Sequence, residues 1–245
     1  MRRMSTAPTP VSDESPGLAV VLGGTGGIGE ALADGLRQQG HAVLAVGRRT
    51  ASALDYADEA SVARVAQAVA ADLARTGLPL RRLVVATGLL HEGDIQPERS
   101  WAHLDAAALQ RLFLVNAIGP ALVMRHCLPL LPRQGRSVAA FLSARVGSIG
   151  DNRLGGWYGY RASKAALNQL VHTAAIELAR RCPQALCVAL HPGTVDTALS
   201  TPFAKTGLTV RPPEVAAHEL LRVIDTLPAG SSGGFFDHQG KNIPW

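Results

Sequence analysis

The chain alternates short, continuously apolar runs with longer stretches of helical spacing. The apolar runs are "LAVVL" (18–22), "AVLAV" (42–46), "RLVVA" (82–86), "SVAAFL" (137–142) and "LCVAL" (186–190), followed by a shorter "GGFF" (233–236). They do not alternate apolar with polar, so they predict strands covered on both faces, as in a parallel sheet flanked by helices. Helices are predicted to begin near Gly27, Asp58, Asp105, Trp157 and Pro212. Asp58 and Asp105 each precede an alanine-rich run and are expected N-caps. Strand–helix alternation over 245 residues, with no internal repeat and no dividing linker, predicts one doubly wound α/β domain over residues 18–245.

Composition adds limits. Hydrophobic content of 47% and charged content of 18% belong to a globular chain. Residues 1–17, "MRRMSTAPTPVSDESPG", are polar and proline-rich and read as a disordered tail. The twin arginine there is not followed by an apolar region, so a secretion signal is not expected. No apolar run of membrane-spanning length is expected, and the simplest location is cytoplasmic. The net charge of +5 is spread over single and paired bases without interleaved aromatics, which argues against nucleic acid as a partner. Cys127, Cys182 and Cys187 show no metal spacing and read as packing thiols, and no metal site is expected.

Chemistry enters with "VVLGGTGGIGEAL". Gly23, Gly27 and Gly29 stand between the first strand and a helix, where bare backbone N–H groups receive a phosphate. The bland alternative is a glycine-rich turn without a ligand. The second strand ends "LAVGRRT": Gly47 occupies the position where an acid binds a ribose 2′-hydroxyl, and Arg48 and Arg49 follow. Guanidinium suits a 2′-phosphate, so NADP(H) is favoured over NAD(H), although both arginines also suit a solvated loop. In "GWYGYRASKAALN", Tyr160 stands four residues before Lys164 and shares its helix face, whereas Tyr158 does not. A carbonyl that accepts hydride needs a proton donor, and a nearby lysine cation is expected to lower the phenol pKa.

The glycine loop, the YxxxK spacing and "HPGTVDT" together resemble the short-chain dehydrogenase/reductase family, from about Leu18 onward. "SARVGSIGDNRLGGWYGYRASKAALN" and "GGFFDHQGKNIPW" resemble the C-factor-like and sniffer-like carbonyl reductase branch. The resemblance implies Tyr160 as acid/base, Lys164 as its partner and nicotinamide-ribose ligand, and Asn116 in "LVNAIGP" as holder of a relay water. It implies Asp55 near adenine and Thr197 at the nicotinamide carboxamide, with Pro192, Gly193 and Val195 shaping that loop and Thr25 and Ile28 completing the phosphate loop. A homo-oligomer, dimer or tetramer, is also implied.

Four positions depart from the pattern. Leu22 replaces a common threonine, and "VATG" (85–88) replaces an asparagine–alanine–glycine segment. Only five residues separate Arg49 from Asp55, so the helix usually found there is expected to be absent. Aligned through "GSI", the substrate-orienting serine position is Ala144. Ser143 is taken as the substitute and Ser148 as the alternative. Trp157 and Tyr158 are equally readable as pocket wall or packing, residues 198–214 as a lid with Phe203 and Leu208, and His191 as a packed histidine. Two functions stay open: an NADP(H)-dependent carbonyl/alcohol oxidoreductase, or a cofactor-binding regulatory protein with little turnover.

Overall fold

The computed structural model describes residues 15–197 and 210–245. The apolar runs become β1 (Leu18–Leu22), β2 (Ala42–Val46), β3 (Leu80–Val85), β4 (Ser137–Leu142), β5 (Ala185–His191) and β8 (Phe235–Asp237). They form one parallel sheet in the order β2-β1-β3-β4-β5-β8. Between them run α1 (Gly27–Gln38), α2 (Glu59–Thr76), α3 (Ala106–Phe113), α4 (Gly119–Cys127), α5 (Tyr158–Arg181) and α6 (Pro213–Thr226). A small parallel pair, β6 (Thr194–Val195) with β7 (Val210–Arg211), lies outside the sheet. The last strand begins two residues later than "GGFF" suggested. Gly233 is left-handed (φ 83°) and its N–H bonds Cys187 O, so it turns the chain rather than extending it.

Continuous apolarity is explained by the two cores. Leu18, Val20 and Leu22 face one cluster with α2, α4 and α5, while Ala19 and Val21 face another with α1 and α6. Each fully buried aliphatic side chain contributes about 1.5–3 kcal/mol of hydrophobic stabilisation, which favours apolar residues on both faces. The expected caps form: the Asp58 carboxylate accepts from Ala60 N–H at 3.0 Å, and that of Asp105 from Ala108 N–H at 2.8 Å. The three cysteines are buried and free, and burial pushes the Cys127 and Cys187 thiols up to about 12.

The helical path Ala106–Leu130 is long and apolar enough to cross a membrane by length and composition, which corrects the expectation that no run was. Here the path flanks the sheet, and a π-turn at Leu114–Ile118 breaks it around the fully buried Asn116. The chain between Arg49 and Asp55 contains no helix, so it passes from β2 directly into α2 and leaves β2 at the sheet edge. Strand order reverses at β1, with β2 on one side and β3 on the other. The carboxyl ends of β1, β2, β3, β4 and β5 therefore gather the loops that carry the predicted chemistry.

Candidate active site

The glycine turn expected to receive a phosphate is built from backbone. Gly23 is left-handed (φ 82°), and its N–H with that of Gly24 converges on Val46 O at 2.8 and 3.0 Å. This bond pair ties the turn to the end of β2. A Cβ on Gly29 would overlap Gly23 O, so helix α1 packs against the turn only because position 29 is bare. A Cβ on Gly27 would lie 3.1 Å from Thr197 Cγ2, which brings the Pro192–Thr197 loop over the start of α1. Ile28 packs into the α1/α6 core, and Val195 is buried in the β6/β7 pair. Gly193 (φ 78°) turns against Arg211 and His238.

A side chain at Gly47 would collide with the Thr25 hydroxyl, so this loop has no room for an acid there. Arg48 and Arg49 are exposed and make no hydrogen bond or ion pair among the described residues. Asp55 is exposed and closes an Asx turn on Ala57 N–H at 2.9 Å. Next to it, the buried Tyr56 hydroxyl meets Thr87 Oγ1 at 2.9 Å, and its ring lies on bare Gly119. Thr87 thereby gives the unusual "VATG" segment a tie to the β2–α2 loop, while Ala86 N–H bonds Leu22 O at 2.8 Å.

Helix α5 presents Tyr160 and Lys164 one turn apart, as the spacing predicted. Both are buried, and Lys164 Nζ lies 5.9 Å from the Tyr160 ring centroid while donating to Leu142 O at 2.8 Å. The expectation that the lysine lowers the phenol needs correction. Burial holds Tyr160 well above the usual tyrosine range and pulls Lys164 down to about 7, because lost solvation penalises both charged forms. Tyr158 is half-buried and outside this pair.

Asn116 reaches the same place from the π-turn, a local widening typical of functional sites. Its amide group exchanges two bonds with the Leu89 backbone, accepting from N–H at 2.8 Å and donating to the carbonyl at 2.7 Å. It also donates to Ser163 Oγ at 3.0 Å, whose hydroxyl donates on to Tyr160 O. Gly88 separates Asn116 from Lys164: a Cβ there would lie 3.6 Å from Lys164 Nζ and 3.7 Å from Asn116 Oδ1.

The two candidate serines bond to groups other than the tyrosine. Ser143 donates to Asn168 Oδ1 at 2.7 Å, and Ser148 donates to Pro244 O at 2.5 Å. Ala144 instead packs with Tyr160 and Leu90, beside Val146 and Trp157. Trp157 stands edge-on to Tyr160, with centroids 6.2 Å apart, and so is both wall and packing. It is also the one left-handed non-glycine residue among those described (φ 54°), a strained entry into α5.

Glu98 supports this entry and was not found in the sequence. Its buried carboxylate accepts from Gly159 N–H at 3.1 and 3.2 Å, and its carbonyl accepts from Trp157 N–H at 2.6 Å. A distant glutamate capping a helix leaves no local signal, unlike the adjacent Asp58 or Asp105. His191 is held neutral, down at about 4, chiefly by burial and then by Arg145. Residues 198–209, including Phe203 and Leu208, lie outside the described residues, as do 1–14 of the tail. Among the described residues no group of three or more His, Cys, Asp or Glu is placed to hold a metal ion.

Residues 17–207 match the model of the short chain dehydrogenase family. The chain belongs to that family. As a short-chain dehydrogenase it is 30% identical over 237 residues to the 1-hydroxy-2-glutathionyl-2-methyl-3-butene dehydrogenase of Rhodococcus sp. strain AD45, covering 92% of this chain and 98% of the relative. It is 40% identical over 142 residues to the C-signal of Myxococcus xanthus, covering 58% of this chain and 81% of the relative. Its fold is that of the carbonyl reductase Sniffer of D. melanogaster, with a TM-score of 0.80 at 20% identity over 95% of this chain and all of that one. The C-factor-like and sniffer-like resemblance read from the sequence thus extends to both comparisons, and the chain is an oxidoreductase-family member with a carbonyl reductase fold.

Proposed function

We propose that this short-chain dehydrogenase transfers hydride between NADP(H) and a carbonyl/alcohol substrate, with Tyr160 as proton donor. The observation that carries this reading is the buried Tyr160–Lys164 pair on one face of α5, joined through Gly88 to Asn116. The residues present fit the cofactor. Gly23, Thr25, Gly27, Ile28 and Gly29 would hold its pyrophosphate at the bare start of α1, and Pro192, Gly193, Val195 and Thr197 would frame its nicotinamide end. The sterically closed Gly47 position and the exposed Arg48 guanidinium favour a 2′-phosphate over a 2′-hydroxyl. Asp55 would lie toward the adenine.

When bound, the nicotinamide supplies the hydride. Tyr160 gives its proton to the carbonyl oxygen as charge develops there. Lys164 and Asn116 then return a proton toward Tyr160 by way of water. Ser143, whose hydroxyl donates to Asn168 Oδ1, is the serine proposed to orient the substrate, with Ser148 as the alternative.

The test is NADPH oxidation with a panel of aldehydes, ketones and quinones, run beside Tyr160→Phe. Tyr160-dependent turnover supports the reading. The identity to C-signal favours a second reading, a cofactor-binding regulatory protein, and cofactor binding with no Tyr160-dependent oxidation would select it. A homo-oligomer is also proposed. The apolar groove of Leu109, Phe113, Leu114 and half-exposed Ile118 would be covered by a second copy, so light scattering should show Ile118→Glu dissociating it.

A further inference from the structure

The Pro192–Thr197 loop leans on β7. Val195 pairs with Arg211 in the β6/β7 register, and Asp196 N–H donates to Arg211 O at 2.8 Å. The Arg211 side chain then fastens β7 to two further elements. Its Nη2 meets His238 Nε2 at 2.7 Å, and its Nε lies 3.3 Å from Glu219 Oε2 on α6. A Cβ on left-handed Gly193 would overlap Arg211 Nη1, so the guanidinium reaches the loop only because that position is bare. His238 itself stands in a pinned turn after β8. The buried Asp237 carboxylate accepts there from Gln239 N–H at 2.9 Å, from Lys241 N–H at 3.0 Å and from Arg145 Nη2 at 3.3 Å.

A guanidinium has N–H donors and no acceptor, so His238 accepts through a bare Nε2. The ring is then neutral, with its hydrogen on Nδ1. A second proton would occupy Nε2, cancel the bond and set two cations 2.7 Å apart. We propose that His238, acting through Arg211, is a positioning residue for the Pro192–Thr197 loop, and that its protonation releases the loop and weakens cofactor binding. The inference rests on the NADP(H) reading above. The groups facing His238 fix the pH range. Burial first, and then the Arg211 cation, push its pKa below the usual 6.5, with Arg145 adding to the fall and Glu219 and Asp237 opposing it. Affinity is therefore complete above that lowered value and is lost as pH falls through it. His191, beside Asp237 in the β5/β8 register, is held down at about 4 and stays neutral over most of this range.

The experiment measures NADP⁺ affinity by titration calorimetry from about pH 8 to about pH 5 in wild type, His238→Gln and His238→Leu. Glutamine offers Arg211 an acceptor that does not titrate, and leucine offers none. The 2′-phosphate and Lys164 titrate in all three proteins, so the ratio of wild type to His238→Gln isolates His238. Wild type should lose about 10-fold more affinity than His238→Gln across the range, and His238→Leu should bind about 10-fold more weakly than wild type at the alkaline end. Equal pH dependence in wild type and His238→Gln, or wild-type affinity in His238→Leu at the alkaline end, overturns the inference and leaves the cofactor reading standing. No NADP⁺ binding at any pH removes that reading and the inference with it. Should the variants fold poorly, hydrogen exchange on cofactor-free wild type decides. Protection of the Asp196 amide should fall about 10-fold on acidification relative to the Ser143 amide, which bonds Leu190 O between β4 and β5. A constant ratio overturns the inference.

Discussion

Set beside each other, the Gly23–Gly29 turn and the pocket around Tyr160 sit at the same end of the sheet but are made of opposite materials. The turn offers bare N–H groups and space left by absent side chains, with Gly29 packed directly on Gly23 O. The pocket offers side chains locked by one another, with Tyr160 and Lys164 buried and every nearby serine already donating elsewhere. A backbone-built site is intolerant of any added atom but indifferent to distant residues. A side-chain-built site depends on partners spread over the chain, such as Glu98 and Asn168.

The sharpest break in that contrast is Tyr160→Phe, which should lower kcat about 10³-fold while NADPH affinity, read by fluorescence, stays within about twofold. Gly29→Ala should do the reverse. Its Cβ overlaps Gly23 O, so a stability loss of about 1–3 kcal/mol and about 100-fold weaker cofactor binding are expected by calorimetry. Gly88→Ala tests the corridor between the two materials. Its Cβ makes ordinary contacts at 3.6 and 3.7 Å, so melting should barely change while kcat falls about 10-fold through crowding of Lys164 and Asn116. Arg48→Ala should weaken NADPH binding about 10-fold and leave NADH unchanged, the size of one charge-assisted bond at an exposed position.

A pH slope tests the burial of Lys164. Lys164 falls from 10.5 in the unfolded chain to about 7 in the fold, so between those values the unfolded state binds more protons and stability rises with pH. The unfolding free energy of wild type from urea titrations should climb over that range by at most about 1.4 kcal/mol per pH unit, and Lys164→Met should lose the climb.

The sheet, the phosphate turn and the Tyr160–Lys164 face were legible because each is a local pattern: apolar runs, glycine spacing and an i, i+4 pair. The rest depends on contacts between distant residues. Nothing around residue 98 announces that a glutamate will cap a helix starting sixty residues later. The Ser143 hydroxyl is assigned by Asn168 on another element, and the π-turn at Asn116 by its bonds to Leu89. The lowered pKa of Lys164 depends on burial that spacing does not reveal.

The clamping of α5 has one more consequence. With its first turn held by Glu98 and its lysine fastened to the end of β4, the reacting tyrosine is fixed while the neighbouring loop carries the exposed Ile149 and Leu154. Exchanging the side chains of Ile149 and Leu154 should therefore leave the Tyr160–Lys164 pair undisturbed. The molecule separates what evolution can vary from what it must keep.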